Sequence, residues 1–250
     1  MASPPHTVRL AEAVALVDEA RTGIDAGETL GRLDAIADGC PGPTVDDVRR
    51  HLFETLGFRG DVEHYHHERN SLLSAVIDRR RGLPILLSVL TIDVGGRRGV
   101  TLEPIGMPGH FLVRHPGPPP VYLDPFDRGA LVDRAACEAL FRRSNGPARA
   151  FDPSLLEPVG PHEVIARVLT NLKGTYTAAG DLADLRWVLE MRTAVPGIPQ
   201  VERLEHAAVL AELGRHDDAA RVLDGLAEGA EGRLADAARH RGRALRARNN

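Results

Sequence analysis

Residues 110–124 read HFLVRHPGPPPVYLD. Apolar and polar residues alternate on both sides of a loop built from proline and glycine, the pattern of two short strands and the turn between them. With the loop at 116–120, His115 opposes Val121 and Leu112 opposes Asp124. His110 then lies two positions further along the same face as Asp124, a diagonal neighbour on the adjacent strand. In that register the imidazole and the carboxylate project to one side and meet, whereas a slip of one residue sends them to opposite faces. An aspartate that holds a histidine in one tautomer and stabilises its charged form is the orienting half of a nucleophilic triad. The same residues also have a local reading, in which His110 closes the GMPG loop at 106–109 and Asp124 begins the turn DPFDRG at 124–129.

Upstream, residues 69–97 read RNSLLSAVIDRRRGLPILLSVLTIDVGGR. Leu72, Leu73, Val76 and Ile77 have helical spacing, and Gly82 interrupts them. Pro84 stands where proline is tolerated, in the first turn of a new helix over 84–97 that is apolar nearly all round and therefore buried. A helix, then a strand bearing His, then a strand bearing Asp is a layout in which the nucleophile sits at the helix N-terminus, where the dipole lowers a thiol pKa. Neither cysteine is there: Cys40 lies in an early turn and Cys137 on a later helix. Ser88 is the nearest hydroxyl, although a serine in a buried helix usually bonds back to a carbonyl one turn earlier.

Helical patterns also occupy 7–22, 28–38 and 45–56, the last with Thr44 as N-cap, Asp46 and Asp47 in its first turn, and Gly57 closing it. A short helix is expected at 133–141. Four prolines between Pro147 and Pro161 mark a boundary. Beyond it the chain reads as helical, and AAGDLADLRWVLE (178–190) resembles ELGRHDDAARVLD (212–224). Their glycines, Gly180 and Gly214, are 34 residues apart, the period of tetratricopeptide repeats. The expected parts are an N-terminal helical bundle over 1–57, an α+β core over 58–146 and a helical-repeat tail over 162–250. Leu182, Leu185, Val188, Leu204 and Leu210 give the tail an apolar face that needs a covering surface, on the main domain or a partner.

Composition narrows the function. With 43% hydrophobic and 26% charged residues the chain reads as an ordinary soluble protein. A net charge of −4 argues against a general nucleic-acid or anionic-membrane surface, and the basic stretch 233–248 reads as a solvated helix face. The opening MASPPHTVRL has no apolar segment of the secretory kind, and the apolar stretch 83–94 is too short to span a bilayer. Two cysteines cannot build a metal cage or a disulfide framework alone, so a reduced, cytoplasmic protein is expected.

Several pieces in order, FRG (58–60), RNS (69–71), RRRGLP (79–84), LSVL (87–90), PGHFLVR (108–114) and DPF-x-x-G (124–129), resemble the SirB1 family, a branch of the transglutaminase-like superfamily. The resemblance covers about residues 45–220. It implies a transglutaminase-like (papain-like) α+β fold with a tetratricopeptide-like C-terminal part. It also implies that His110 and Asp124 are the superfamily's His and Asp. In the wider superfamily the nucleophile comes in Gly-x-Cys at the helix start, and Gly82–Leu83–Pro84 fits that slot with proline in place of the cysteine, as is characteristic of the branch. This sequence departs from the branch at Leu86, at HYHHE (64–68) and at Asp127, all near the expected cleft.

Besides the catalytic pair His110 and Asp124, the expected substrate-binding residues are Asn70, Arg81, Ser88, Arg114 and Asp127. Arg79, Arg80 and Arg81 could clamp a carboxylate, phosphate or sulfate, or simply cover the surface with their stems. Asn70 could instead cap the following helix. His64, His66, His67 and Glu68 could hold a metal, but the spacing splits them between two sides of an extended segment and supplies no second ligand pair, so no metal is expected. No cofactor is expected either. Two function classes follow: a general-base enzyme on a small-molecule or peptide substrate, or a non-catalytic protein whose cleft and tail grip a protein partner. No nucleic-acid or membrane partner is expected.

Overall fold

The computed structural model describes residues 9–248, which form two compact units, one ending at Val168 and the other beginning at Leu169. The first two residues of the expected 7–22 helix and the opening segment lie outside the described residues.

The first unit begins with helices α1 (Leu10–Thr22) and α2 (Ala26–Asp38). Thr44 starts α3 (Val45–Arg49) with a capping box: its hydroxyl accepts from the Asp47 amide at 3.1 Å, and the Asp47 carboxylate accepts from the Thr44 amide at 3.2 Å. The helix then widens to π geometry over Arg50–Thr55, where Leu56 N–H reaches back five residues to His51 O at 2.9 Å. Consecutive His51, Leu52 and Phe53 on this wider turn are all buried.

Strands β1 (Arg59–Gly60) and β2 (Arg81–Gly82) pair in parallel, with α4 (Leu73–Arg79) between them. Helix α5 (Pro84–Arg97) follows with Pro84 at its start, as the sequence requires. Leu86, Leu87, Val89, Leu90 and Val94 of α5 are fully buried, each worth roughly 1.5–3 kcal/mol. Strands β3 (Glu103–Ile105), β4 (Leu112–His115), β5 (Val121–Asp124) and β6 (Ala130–Val132) form an antiparallel sheet in sequence order. One face, with Phe111, Val113 and Leu123, shares the core of α5. The opposite face, with Leu112 and Tyr122, packs with Cys137, Leu140 and Phe141 of α6 (Arg134–Asn145). The architecture is thus α+β, as expected, with helices on both faces of one small sheet. The pair β1–β2 and the strands β3 and β6 were not anticipated: at two or three residues each they are too short to carry a period.

Helix α7 (Pro161–Ala179) carries the division between the units, beyond the proline-rich stretch. In the second unit α8 (Leu182–Ala194), α9 (Glu202–Glu212), α10 (His216–Gly229) and α11 (Gly232–Arg248) pack each against the next in sequence. Ala207, Leu210, Ala219, Leu223, Leu226 and Ala238 build its own apolar cluster, and Leu204 packs against it. Gly180 and Gly214 both stand at helix-to-helix turns. Among the described residues no helix is long and apolar enough to cross a membrane.

Candidate functional site

The β4–β5 register pairs His115 with Val121, Arg114 with Tyr122 and Val113 with Leu123. Continued by one position it sets Leu112 beside Asp124, with His110 two residues before it on the same face. The imidazole Nε2 lies 2.8 Å from Asp124 Oδ2. The other carboxylate oxygen accepts the amides of Phe126 at 3.0 Å and Asp127 at 3.3 Å. An ionised carboxylate only accepts, so Nε2 carries the proton of the neutral ring and Nδ1 is left with its lone pair. Asp124 is buried at 3% exposure, and His110 borders an open cleft of about 560 Å³. Phe126 and Val62 form one side of that cleft, and Leu140, Arg143 and Ser144 of α6 form the other.

The turn before His110 is pinned from two helices. Gly109 has φ +76°, and a Cβ there would lie 2.5 Å from Ser144 Cβ, so this position needs glycine on both counts. Asn145 Nδ2 donates to Pro108 O at 2.8 Å. Arg167 of α7 donates to Met107 O at 2.8 Å and His110 O at 3.4 Å, and its guanidinium lies 5.1 Å from the Phe111 ring centre. Burial lowers the Arg167 pKa. Its position between the buried Val164 and Val168, on the core face of α7, was the sequence signal for this missed residue.

With this geometry in hand, the comparisons with known proteins decide the family. A family model described as the transglutaminase-like superfamily matches residues 10–170. The chain belongs to the transglutaminase-like superfamily. It is 34% identical over 182 residues to a UPF0162 protein of Xylella fastidiosa, covering 69% of this chain and 63% of that one. A UPF0162 protein of Vibrio cholerae is 32% identical over 145 residues, covering 57% and 52% respectively. The mouse F-box only protein 21 is 28% identical over 137 residues, covering 51% of this chain and 21% of its own length. The chain thus spans less than two thirds of the length of these relatives. No solved structure matches it.

In this transglutaminase-like chain the N-terminus of α5 is tied to the Asp124 end of β5. Gly82 pairs with Gly60, whose amide donates to Phe126 O at 3.0 Å. No thiol stands at that helix start: Leu83 is its N-cap and Pro84 its first residue. Cys40 and Cys137 are both buried free thiols. Burial first, then Asp133 and Asp124, push the Cys137 thiol up to about 11. A thiol raised so far has little thiolate character at neutral pH.

The expected binding residues separate. Asp127 is exposed and borders the His110 cleft, and Arg81 borders an adjoining one. Asn70 does not cap the following helix, whose N-cap is Leu72. It is fully buried; Nδ2 donates to His64 O at 2.7 Å and Oδ1 accepts from Arg79 at 2.8 Å. Arg79 also pairs with the buried Asp61 at 2.6 Å, while Arg80 donates to Leu56 O at 2.9 Å. Asn70 and Arg79 therefore hold the base of the 61–67 loop. Ser88 is fully buried, and among the described residues its Oγ has no hydrogen-bond partner. Arg114 turns away from the cleft to Glu103, at 2.8 Å, and to Leu156 O, at 3.3 Å. Among the described residues no three His, Cys, Asp or Glu side chains are grouped to hold a metal.

Proposed function

We propose that the chain is a SirB1-type transglutaminase-like protein in which His110 and Asp124 form a general base. It acts on a small-molecule or peptide substrate in the cytoplasm, without a cofactor or a covalent acyl-enzyme. One observation carries this reading: the 2.8 Å bond from Nε2 to a buried, doubly hydrogen-bonded carboxylate, at the edge of a cleft. Nδ1 takes the proton of a substrate amine, hydroxyl or water as that group attacks an acyl carbon. Asp124 stabilises the imidazolium, which returns the proton to the leaving group. This supports cyclisation, transfer or hydrolysis. General-base assistance is worth roughly 10²–10⁴-fold, with orientation in the cleft supplying the rest.

A second reading is favoured by Pro84 in the nucleophile slot and by the two helix–glycine–helix segments of the tail. It makes the protein a binding or regulatory module whose cleft and tetratricopeptide-like tail grip a protein partner. Hydrolysis of p-nitrophenyl acetate by the full chain separates the two. His110→Gln should lower the rate by about 10²-fold or more, and Asp124→Asn should also lower it, because the amide can present its N–H₂ to the ring. An unchanged rate in a His110→Gln protein with a normal thermal melt leaves the binding module.

A further inference from the structure

A second cleft, of about 460 Å³, shares Val62, Phe126 and Asp127 with the His110 cleft. Its other walls include Arg59, Arg81 and Arg128, which arrive from three separate segments. The parallel register sets Arg59 beside Arg81, so two guanidinium stems leave one two-residue ladder abreast. Like charges so placed repel unless something negative lies between them. The protein supplies little of that. Arg81 approaches Glu63 at 3.6 Å, with the Glu63 side chain 75% exposed, and pairs of this kind are worth little in water. Among the described residues the Arg59 guanidinium donates only to Gly57 O, at 3.5 Å, and Arg128 has no hydrogen bond or ion pair. Of the other two acids, Asp61 is already paired with Arg79 at 2.6 Å. Three guanidiniums thus line, with two exposed carboxylates, Glu63 and Asp127, a concave site that shares the Phe126 wall with the His110 cleft.

We propose that this arginine-walled cleft binds an oxyanionic group of the substrate, a carboxylate or a phosphate, and so holds the reacting part of that molecule over His110. The proposal rests on the general-base reading for its purpose but not for its test. Guanidinium forks offer paired N–H donors that match either oxyanion and do not titrate away at any physiological pH. Asp127, on the wall common to both clefts, then meets the part of the ligand between its anionic end and its reacting end.

The test is binding, read from the arginine Nε–Hε resonances of the full chain during titration at constant ionic strength. One arm uses inorganic phosphate and the other glutarate; the tighter of the two names the source of the oxyanion. Saturable shifts are expected at Arg59, Arg81 and Arg128, and Arg59→Gln/Arg128→Gln should weaken binding at least 10-fold. Arg203→Gln, on α9, should leave it unchanged. Arg128 has φ +50°, so Arg128→Gly relieves the backbone and cannot be dismissed as misfolded, yet it too should weaken binding. Shifts that never saturate, or equal affinity in the wild type and both arginine variants, overturn the proposal. His110→Gln should bind as the wild type does, so loss of anion binding and loss of the general base are told apart.

Discussion

Gly60 donates its amide to Phe126 O at 3.0 Å, and a Cβ on Gly60 would stand 2.4 Å from the Phe126 ring. The ring cannot simply swing aside, because Tyr65 packs edge-on against it at 5.8 Å between centres. Phe126 is also the wall between the two clefts. Gly60→Ala should therefore displace the ring and cost about 1–3 kcal/mol by overpacking. Urea unfolding checks it; a variant as stable as the wild type would show that the ring has room.

Much of this architecture is legible in the residues. Pro84 fixes the start of α5, and the five-residue loop after His115 fixes the register that brings His110 to Asp124. What was not legible depends on distant partners. Asn70 and Arg79 look like a cap and a clamp because their common partner, the 61–67 loop, has no periodic signal. Arg167 lies beyond the proline-rich stretch that the composition marks as a boundary. Arg59 and Arg81 become neighbours only through a strand pair of two residues each.

The Asp61 carboxyl responds to opposing influences. Burial pushes its pKa up, but the His64 amide, Arg79 and Asn70 together outweigh burial and hold it below the ordinary value. A carboxyl depressed in the folded state adds stability in full above its unfolded value, about 3.9. That stability is lost as pH falls through the unfolded and then the lower folded value. Asp61→Asn should be less stable than the wild type at pH 7, by roughly 1–3 kcal/mol for the charged bonds lost. The gap should narrow below about pH 4. A gap that stays constant from neutral to acid pH in chemical unfolding would place its origin elsewhere.

In the second unit Arg192 and Glu202 form a two-pronged pair, with both N–H···O distances 2.6 Å, and Arg192 is 6% exposed. The pair fixes the end of α8 to the start of α9. The Arg192 bonds are the largest cause holding the Glu202 carboxyl below its ordinary value. Its stabilisation is thus present above the unfolded value, about 4.3, and fades as pH falls through the folded one. Arg192→Met leaves Glu202, among the described residues, with only Lys173 at 3.9 Å and should destabilise by roughly 3–5 kcal/mol. Arg192→Met/Glu202→Met should recover most of that, because no buried charge is left unpaired. A double variant no more stable than the single one, by thermal or urea unfolding, refutes this account.

The sharpest expectation concerns coupling within the His110–Asp124 pair. If Asp124 acts only by fixing the tautomer and stabilising the imidazolium, it has nothing to stabilise once the ring is gone. His110→Gln/Asp124→Asn should then hydrolyse p-nitrophenyl acetate scarcely more slowly than the worse single variant, rather than by the product of the two losses. Losses that multiply would mean that Asp124 acts on the substrate directly or through the Phe126 and Asp127 amides it accepts. A His110→Gln protein that keeps the wild-type rate, while melting normally, would remove the base from the mechanism altogether.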